Sequence, residues 1–303
     1  MDDALNAWTS LHTLPNSAIR ILLLAESKCK IFGSVKKNTL KYLYEKHSRE
    51  NKNFKDFLNL LFESKLVAWE SRNKELIRLT FSGYDLLALR SINKKFNITS
   101  FGSNIARGKE SDLYVAECSS VGSCVIKFYR IGRTSFRDVK RKRSFSKLSS
   151  SWLIHSTKAA TSEARAYELL KNSEVNVPKF FWRNRHALLL EYIEGKRLSS
   201  LEEPELNAEL FYQIILQVKH MLKTKFVHVD LNPFNILVSS DRKKVYIIDF
   251  PQWVPLTHPN SLFYLSRDLN NVASFFEQKG IRLDREKVIN ETLNLAKQLI
   301  ESE

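Results

Sequence analysis

The sequence predicts an α+β fold in two domains, residues 1–92 and residues 93–303. Three observations predict it. In the first domain, three helix-period segments precede two short strand-period segments. A strand pair with a polar turn at its head opens the second domain. Further on, an apolar-striped helix leads into a polar loop and another strand pair. A length of 303 residues suits about two domains, and 43% hydrophobic residues can fill two cores. With 8 Gly and 7 Pro, little of the chain is left for linkers or low-complexity segments.

Pro15 to Cys29 carries Ile19, Leu22, Leu23 and Leu24 and predicts a helix, with Asn16 or Ser17 near its cap. A second helix is expected over Asn38–His47, with Leu40, Leu43 and Tyr44 on one face. A third is expected from about Asn53 to Ser64, with Phe54, Phe57, Leu58, Leu61 and Phe62 inward. Leu66–Trp69 and Leu76–Thr80 then read as strands around the polar stretch Ser71–Lys74, and a helix follows from Thr80 to about Arg90. Three helices and then a hairpin is the order of a winged helix. In a nucleic-acid module of that kind the third helix would present Lys52, Lys55 and Asn59, and the wing Arg72 and Lys74. The alternative is a docking domain, because residues 1–92 hold 15 Lys+Arg against 10 Asp+Glu, a modest excess.

The second domain is expected to be bilobal, with an N-lobe over about 93–190 and a C-lobe over about 194–303. Ser103–Asp112 lies before the strand Leu113–Ala116, and Cys124–Tyr129 forms the next strand. Backbone N–H groups of a polar turn such as Gly108-Lys109-Glu110-Ser111 can cradle phosphates, and a lysine on the following strand, Lys127, can reach phosphate oxygens. The 19 residues from Gly108 to Lys127 suit a hairpin that covers a nucleotide. Thr161–Leu170 reads as a helix with Glu163 in its first turns. Glu163 is the expected carboxylate partner of Lys127, with Glu168 as the alternative. Leu188–Glu191 runs as an apolar strand into Tyr192-Ile193-Glu194-Gly195, read as a Gly turn, and backbone groups of Glu191 and Ile193 are expected to hold a base.

A helix over Ala208–Lys223 precedes His228-Val229-Asp230-Leu231-Asn232-Pro233-Phe234-Asn235. Fourteen residues after Asn235, the strand from Val245 ends in Asp249-Phe250. Phosphoryl transfer needs a carboxylate at the acceptor and oxygen ligands for Mg²⁺ on the phosphates. Asp230 suits the first role, and Asn235 and Asp249 the second. A hairpin between them would bring Asn235 and Asp249 to one place.

These segments resemble those of the RIO family of atypical protein kinases, in the subfamily with an N-terminal winged helix. The match rests on Gly108-Lys109-Glu110-Ser111-Asp112, Ile126–Arg130, Ile131-Gly132-Arg133-Thr134-Ser135-Phe136-Arg137, Asn184-Arg185-His186-Ala187, Asp249-Phe250-Pro251-Gln252 and His258-Pro259-Asn260. It spans about Pro15 to about Phe276. The resemblance implies ATP and Mg²⁺ as cofactors, Lys127, Asp230 and Asp249 as catalytic residues, and transient phosphorylation of Asp249. It also implies a role in maturing the small ribosomal subunit, with ATPase-like turnover. Three positions depart from the family pattern. Ala106 and Val229 stand where glycines are usual, and Pro233 where Glu is usual. A positive φ at Ala106 would cost about 1 kcal/mol. The chain ends at Glu303, so a longer regulatory tail is not expected.

From Lys127 to Lys147 there are nine Lys+Arg and one acid, interleaved with Phe128, Tyr129, Phe136 and Phe145. Aromatics among cations suit RNA phosphates and unstacked bases, so Arg130–Lys147 is the expected contact with rRNA of the pre-small ribosomal subunit, beside the winged helix. Sixteen residues separate Phe250 from Arg267-Asp268, with no A-P-E. An activation loop and peptide platform are therefore not expected, and Arg267-Asp268 is expected to brace the catalytic loop from a helix start. The net charge of +15 favours a polyanionic partner. Cys29, Cys118 and Cys124 show no metal or disulfide spacing. The N-terminus is acidic and no apolar run reaches membrane-spanning length. The expectation is a soluble cytoplasmic protein without membrane contact that also passes through the nucleus. Two other classes fit parts of the pattern. A small-molecule kinase of the aminoglycoside or choline type shares H-x-D-x-x-x-x-N, and a non-catalytic ATP-binding assembly scaffold would keep the same residues.

Overall fold

The structure, a computed structural model, describes residues 2–47, 53–70, 74–131, 148–202 and 204–302. It divides into two compact units: Met1–Ala160 with Trp182–Leu189, and Thr161–Phe181 with Leu190–Glu303.

The first unit opens with α1 (Asp3–Thr13), ahead of the first helix expected from sequence. Asp2 caps it, its carboxylate accepting from the N–H groups of Ala4 and Leu5 at 3.1 and 3.2 Å. Its buried face is Ala4, Ala7 and Ser10, packed on α5 (Phe81–Phe96). A stripe that small carries little hydrophobic periodicity, which is why the helix is hard to see in the sequence. Next come α2 (Asn16–Phe32), β1 (Val35–Lys36), α3 (Lys37–His47), α4 (Phe54–Glu63), β2 (Val67–Trp69) and β3 (Leu76–Leu79). The antiparallel sheet is ordered β1-β3-β2. On α4, Phe54, Leu58 and Leu61 are buried at helical spacing, while Lys55 and Asn59 face outward. Lys52 and Arg72 lie outside the described residues.

The same unit holds most of a second sheet, ordered β4-β5-β6-β8-β7. Its strands are β4 (Ile98–Arg107), β5 (Ser111–Cys118), β6 (Gly122–Tyr129), β7 (Phe180–Asn184) and β8 (Ala187–Glu191). Ser103 to Arg107, expected as loop, belong to β4. That strand meets β5 with three register shifts, and each shift breaks the alternation by which a strand is recognised. β5 and β6 pair without a shift from Ser111 opposite Tyr129 to Cys118 opposite Gly122. The helix expected to begin at Thr161 is α6 (Leu148–Leu170), so Glu163 lies well past its middle and not in its first turns. Ser149-Ser150-Ser151 and Thr157 have weak helix propensity, which hides the first half of this helix.

In the second unit, α7 (Ala208–Lys223), α8 (Ser261–Gln278) and α9 (Arg285–Glu301) pack against one another, with Phe211 of α7 set edge-on to Phe276 of α8. Beside them are two small antiparallel sheets. One is ordered β12-β11-β9, from β9 (Gly195–Arg197), β11 (Ile236–Ser239) and β12 (Val245–Ile247). The other pairs β10 (Phe226–Val227) with β13 (Val254–Pro255). Gly195, expected in a turn, is a strand residue of β9. A Cβ there would collide with the Val238 carbonyl, so glycine is required for close approach of two backbones. From Phe250 the chain reaches α8 through β13, with no helix between among the described residues. Among the described residues no helix is long and apolar enough to cross a membrane.

Candidate functional site

In the first unit, β4 and β5 are joined through Gly108-Lys109-Glu110. The Gly108 N–H donates to the Ser111 carbonyl at 2.8 Å, and the Glu110 carbonyl accepts from the Arg130 N–H at 2.5 Å. Gly108, Lys109 and Glu110 are exposed and Ser111 is half-buried. The Gly108 donor is spent inside the hairpin, so an anion at this turn would be met by its other groups. Ala106 pairs with Leu113 at negative φ, so the backbone cost expected at that position does not arise. Lys127 lies opposite Leu113 on β6 and is 4% exposed. Its ammonium stands 4.8 Å from the centroid of the Tyr129 ring, on the same face of the strand. It is therefore not a solvated strand lysine. Ile131 is the last described residue before the basic segment; residues 132–147 lie outside the described residues.

In the second unit, Glu163 is fully buried and Glu168 is exposed. A Glu163 carboxylate oxygen accepts the Phe250 N–H at 3.3 Å. Trp253 Nε1 donates to the Ser162 carbonyl at 3.1 Å, and Tyr167 sets its ring edge-on to Phe250 at 5.3 Å. The C-terminal half of α6 thus holds the stretch that follows Asp249. Ahead of Asp249, Ile236 pairs with Ile247, and the Ile248 N–H donates to the Asn235 carbonyl at 3.0 Å. The hairpin therefore sets Asn235 opposite the residue that precedes Asp249.

His228 is buried and ties the two segments together. Its Nε2 lies 3.0 Å from the Ile248 carbonyl, and its Nδ1 accepts the Asp230 N–H at 3.2 Å. These partners require the Nε2–H tautomer, and burial pushes the imidazole pKa down, so the ring is held neutral. Asn235 points Nδ2 at the Asp230 carbonyl, 2.9 Å away, and lies 3.4 Å from the Asp230 carboxylate. That leaves its Oδ1 as the free end of the amide. Asn232 makes a second such pair with Asp230, at 2.9 Å to the carbonyl and 3.5 Å to Oδ1. Asp230 itself is exposed. The outcome is an accessible carboxylate flanked by two amides, with a second carboxylate, Asp249, one residue beyond the hairpin.

Val229 and Asp249 both have left-handed backbones, with φ of 74° and 72°. Asp tolerates this, but a β-branched residue pays about 1–2 kcal/mol. The Val229 backbone is captured from α8. Arg267 Nη2 donates to its carbonyl, and Asp268 accepts from the N–H groups of Leu231 and Val229. Arg267 and Asp268 do brace the loop, but from two turns inside α8 and not from its start. The geometry of a glycine is thus imposed on a valine by a buried carboxylate and a guanidinium.

Glu191 and Ile193 lie at the end of β8 and in the segment after it. The Glu191 N–H is spent on the Lys179 carbonyl at 2.9 Å, and its carboxylate accepts the Lys179 N–H at 3.0 Å. A base at Glu191 would have to be met by the carbonyl. Tyr167 is a residue that sequence reasoning missed. It is buried, and it hydrogen-bonds the Asp249 backbone and Glu163. In sequence it reads only as one more residue of an apolar helix face.

Asp268 carries a pH signature. Burial pushes its carboxyl up to about 7 from an ordinary 3.8, against the opposing pull of Arg267. The folded chain then holds a proton that the unfolded chain has already released. Its contribution to stability is complete below the ordinary value and is lost as pH rises through about 7. The urea midpoint should fall between about pH 4 and about pH 7 and level off above, and Asp268→Asn should flatten that fall. An unchanged slope in the variant would assign the effect to other groups.

A family model described as the RIO domain matches residues 112–288. The RIO-type serine/threonine-protein kinase Rio2 of Methanocaldococcus jannaschii is 36% identical over 219 residues, 69% of this chain and 80% of that protein. The serine/threonine-protein kinase RIO2 of Caenorhabditis elegans is 36% identical over 225 residues, 73% of this chain and 42% of that protein. The rio2 kinase of Schizosaccharomyces pombe is 34% identical over 224 residues, 73% of this chain and 65% of that protein. The chain thus spans less than two thirds of the nematode and yeast relatives. The crystal structure of the Rio2 kinase–ADP/Mg²⁺–phosphoaspartate complex from Chaetomium thermophilum shares the fold. Its TM-score is 0.79, covering 97% of this chain and 99% of that one, at 24% identity.

Proposed function

The chain belongs to the RIO domain family, and on that premise we propose that it is an ATP- and Mg²⁺-dependent atypical serine kinase and ATPase acting through a phosphoaspartate at Asp249. The observation that carries this reading is the hairpin register that sets Asn235 opposite Ile248, with Asn235 also turned toward the exposed Asp230. Asn235 Oδ1 and the Asp249 carboxylate are hard oxygen donors. Two such ligands suit Mg²⁺, which completes its shell with phosphate oxygens and water. Bound there, the metal would neutralise charge on the phosphates.

In the proposed step, an Asp249 carboxylate oxygen attacks the γ-phosphorus. The bond to the ADP oxygen breaks, and ADP leaves with that electron pair. Water then attacks the acyl phosphate and releases inorganic phosphate, and Asp230 takes the water proton. The same base would serve a serine hydroxyl if one stood in place of water. Gly108-Lys109-Glu110-Ser111 and Lys127 are assigned to the phosphates, and the Glu191 carbonyl and Ile193 to the base. Asp230→Asn should lower turnover about a hundredfold or more while leaving ATP affinity within a few fold, since a base acts in the transition state. Asp249→Asn should abolish the Mg²⁺ dependence of nucleotide binding. Loss of ATP binding in Asp230→Asn would remove that residue from the role of base. Full turnover in both variants would remove Asp230 and Asp249 from the chemistry, and ATP binding without turnover in the wild-type chain would leave the non-catalytic scaffold as the better reading.

The proposed partner is the pre-small ribosomal subunit, in the cytoplasm and in transit through the nucleus. The support is a net charge of +15, concentrated between Lys127 and Lys147. Changing Lys140, Arg141, Lys142 and Arg143 to Ala should reduce the salt dependence of RNA binding by up to about 3 units of slope. An unaltered slope would mean that this segment does not touch RNA.

A further inference from the structure

Arg130 is the largest fully buried side chain among the described residues. A guanidinium cannot shed its charge, so burial demands carboxylates around it. Asp85 of α5 grips the fork with both oxygens, at 2.8 and 2.6 Å. Asp112 takes Nε at 3.3 Å, and His186 Nε2 lies 2.9 Å from Asp85. Asp85, Asp112 and His186 are themselves buried. Burial alone would raise the Asp85 carboxyl, but the Arg130 charge and the hydrogen bonds from His186 and Arg130 hold it below the usual carboxylate range. The Asp85–Arg130 pair is thus held in its ionised form.

Its placement gives it a direction. Asp85 lies on α5, in the N-terminal helical part of the chain. Arg130 lies just beyond β6 and holds the Gly108–Ser111 turn at Glu110 and at the residue that follows it. Its backbone N–H holds the Glu110 carbonyl, and its guanidinium holds Asp112, the residue after Ser111. We infer that Asp85 is a positioning residue for the phosphate-binding turn, acting through Arg130, so that the N-terminal helices are a working part of the nucleotide site. The inference rests on the proposed assignment of that turn to phosphates. A second tether between the same parts supplies a control. Arg185, in the β7–β8 turn, pairs with Glu26 of α2 at 2.6 and 2.7 Å and donates to the Leu87 carbonyl, without touching the phosphate turn.

The test measures Mg-ADP and adenosine binding by calorimetry, with melting temperature, on the full chain. Asp85→Asn should weaken Mg-ADP binding by about tenfold or more, the scale on which misplaced groups act, and leave adenosine binding within twofold. Arg185→Gln should lower the melting temperature yet leave both affinities unchanged. Asp112→Asn keeps the Asp85–Arg130 pair and cuts its link to the turn. It should reproduce the split between ADP and adenosine, and it serves in place of Asp85→Asn if that variant fails to fold. Equal losses for ADP and adenosine, or losses that track melting temperature in all variants, would reduce the cluster to a structural role and overturn the inference. So would an unchanged Mg-ADP affinity in Asp85→Asn or Asp112→Asn. A wild-type chain that binds no Mg-ADP would instead defeat the proposed function itself.

Discussion

The hold of Asp268 and Arg267 on the Val229 backbone is the constraint from which the His228–Asn235 segment takes its shape. Without it a valine would not stay at φ 74°, and the turn that exposes Asp230 would relax toward an ordinary loop. One Asp268 oxygen has no hydrogen-bond partner among the described residues, and its nearest cation is Arg267 at 3.8 Å. An incompletely satisfied buried carboxylate costs stability. The protein accepts that cost at the point where a strained backbone must be kept in one conformation.

The same logic recurs around Asp249. Its own backbone is left-handed, and both neighbours are anchored: Ile248 by Asn235 and His228, and Phe250 by Glu163. Two of these anchors, His228 and Glu163, are buried polar side chains whose hydrogen bonds are directed, and the third is the Asn235 backbone carbonyl. Apolar packing from Phe226, Phe250, Trp253 and Tyr167 fills the space behind them. The first unit repeats the pattern with Arg130, where two carboxylates neutralise one guanidinium. In both units buried charged side chains hydrogen-bond the backbone or the next residue of segments assigned to chemistry. Such a shell fixes side chains more tightly than a loop could by itself.

Much of this was legible in the sequence because it is periodic or locally spaced. The α4 stripe of Phe54, Leu58 and Leu61, the unbroken β5–β6 pairing, and the interval from Asn235 to Asp249 each follow from rules that act over a few residues. What escaped was set by distant contacts or by weak propensity. α1 buries alanines, β4 is bulged, and the serine-rich start of α6 hides half of that helix. Asp85 reads as a stray acid in an apolar helix until Arg130, 45 residues later, is seen beside it. Gly195 looks like a turn residue, because nothing local reveals how closely Val238 approaches.

The central claim is that the chain moves a phosphoryl group onto its own Asp249. One measurement reaches it directly: mix the wild-type chain with γ-labelled ATP and Mg²⁺ for a single turnover, quench, and follow intact protein mass and label. The account predicts one added phosphoryl group per chain. It should be released by hydroxylamine as an acyl phosphate, map to the peptide carrying Asp249, and form no more slowly than inorganic phosphate appears. Label on a serine, or phosphate release with no protein-bound label at any time, would contradict it.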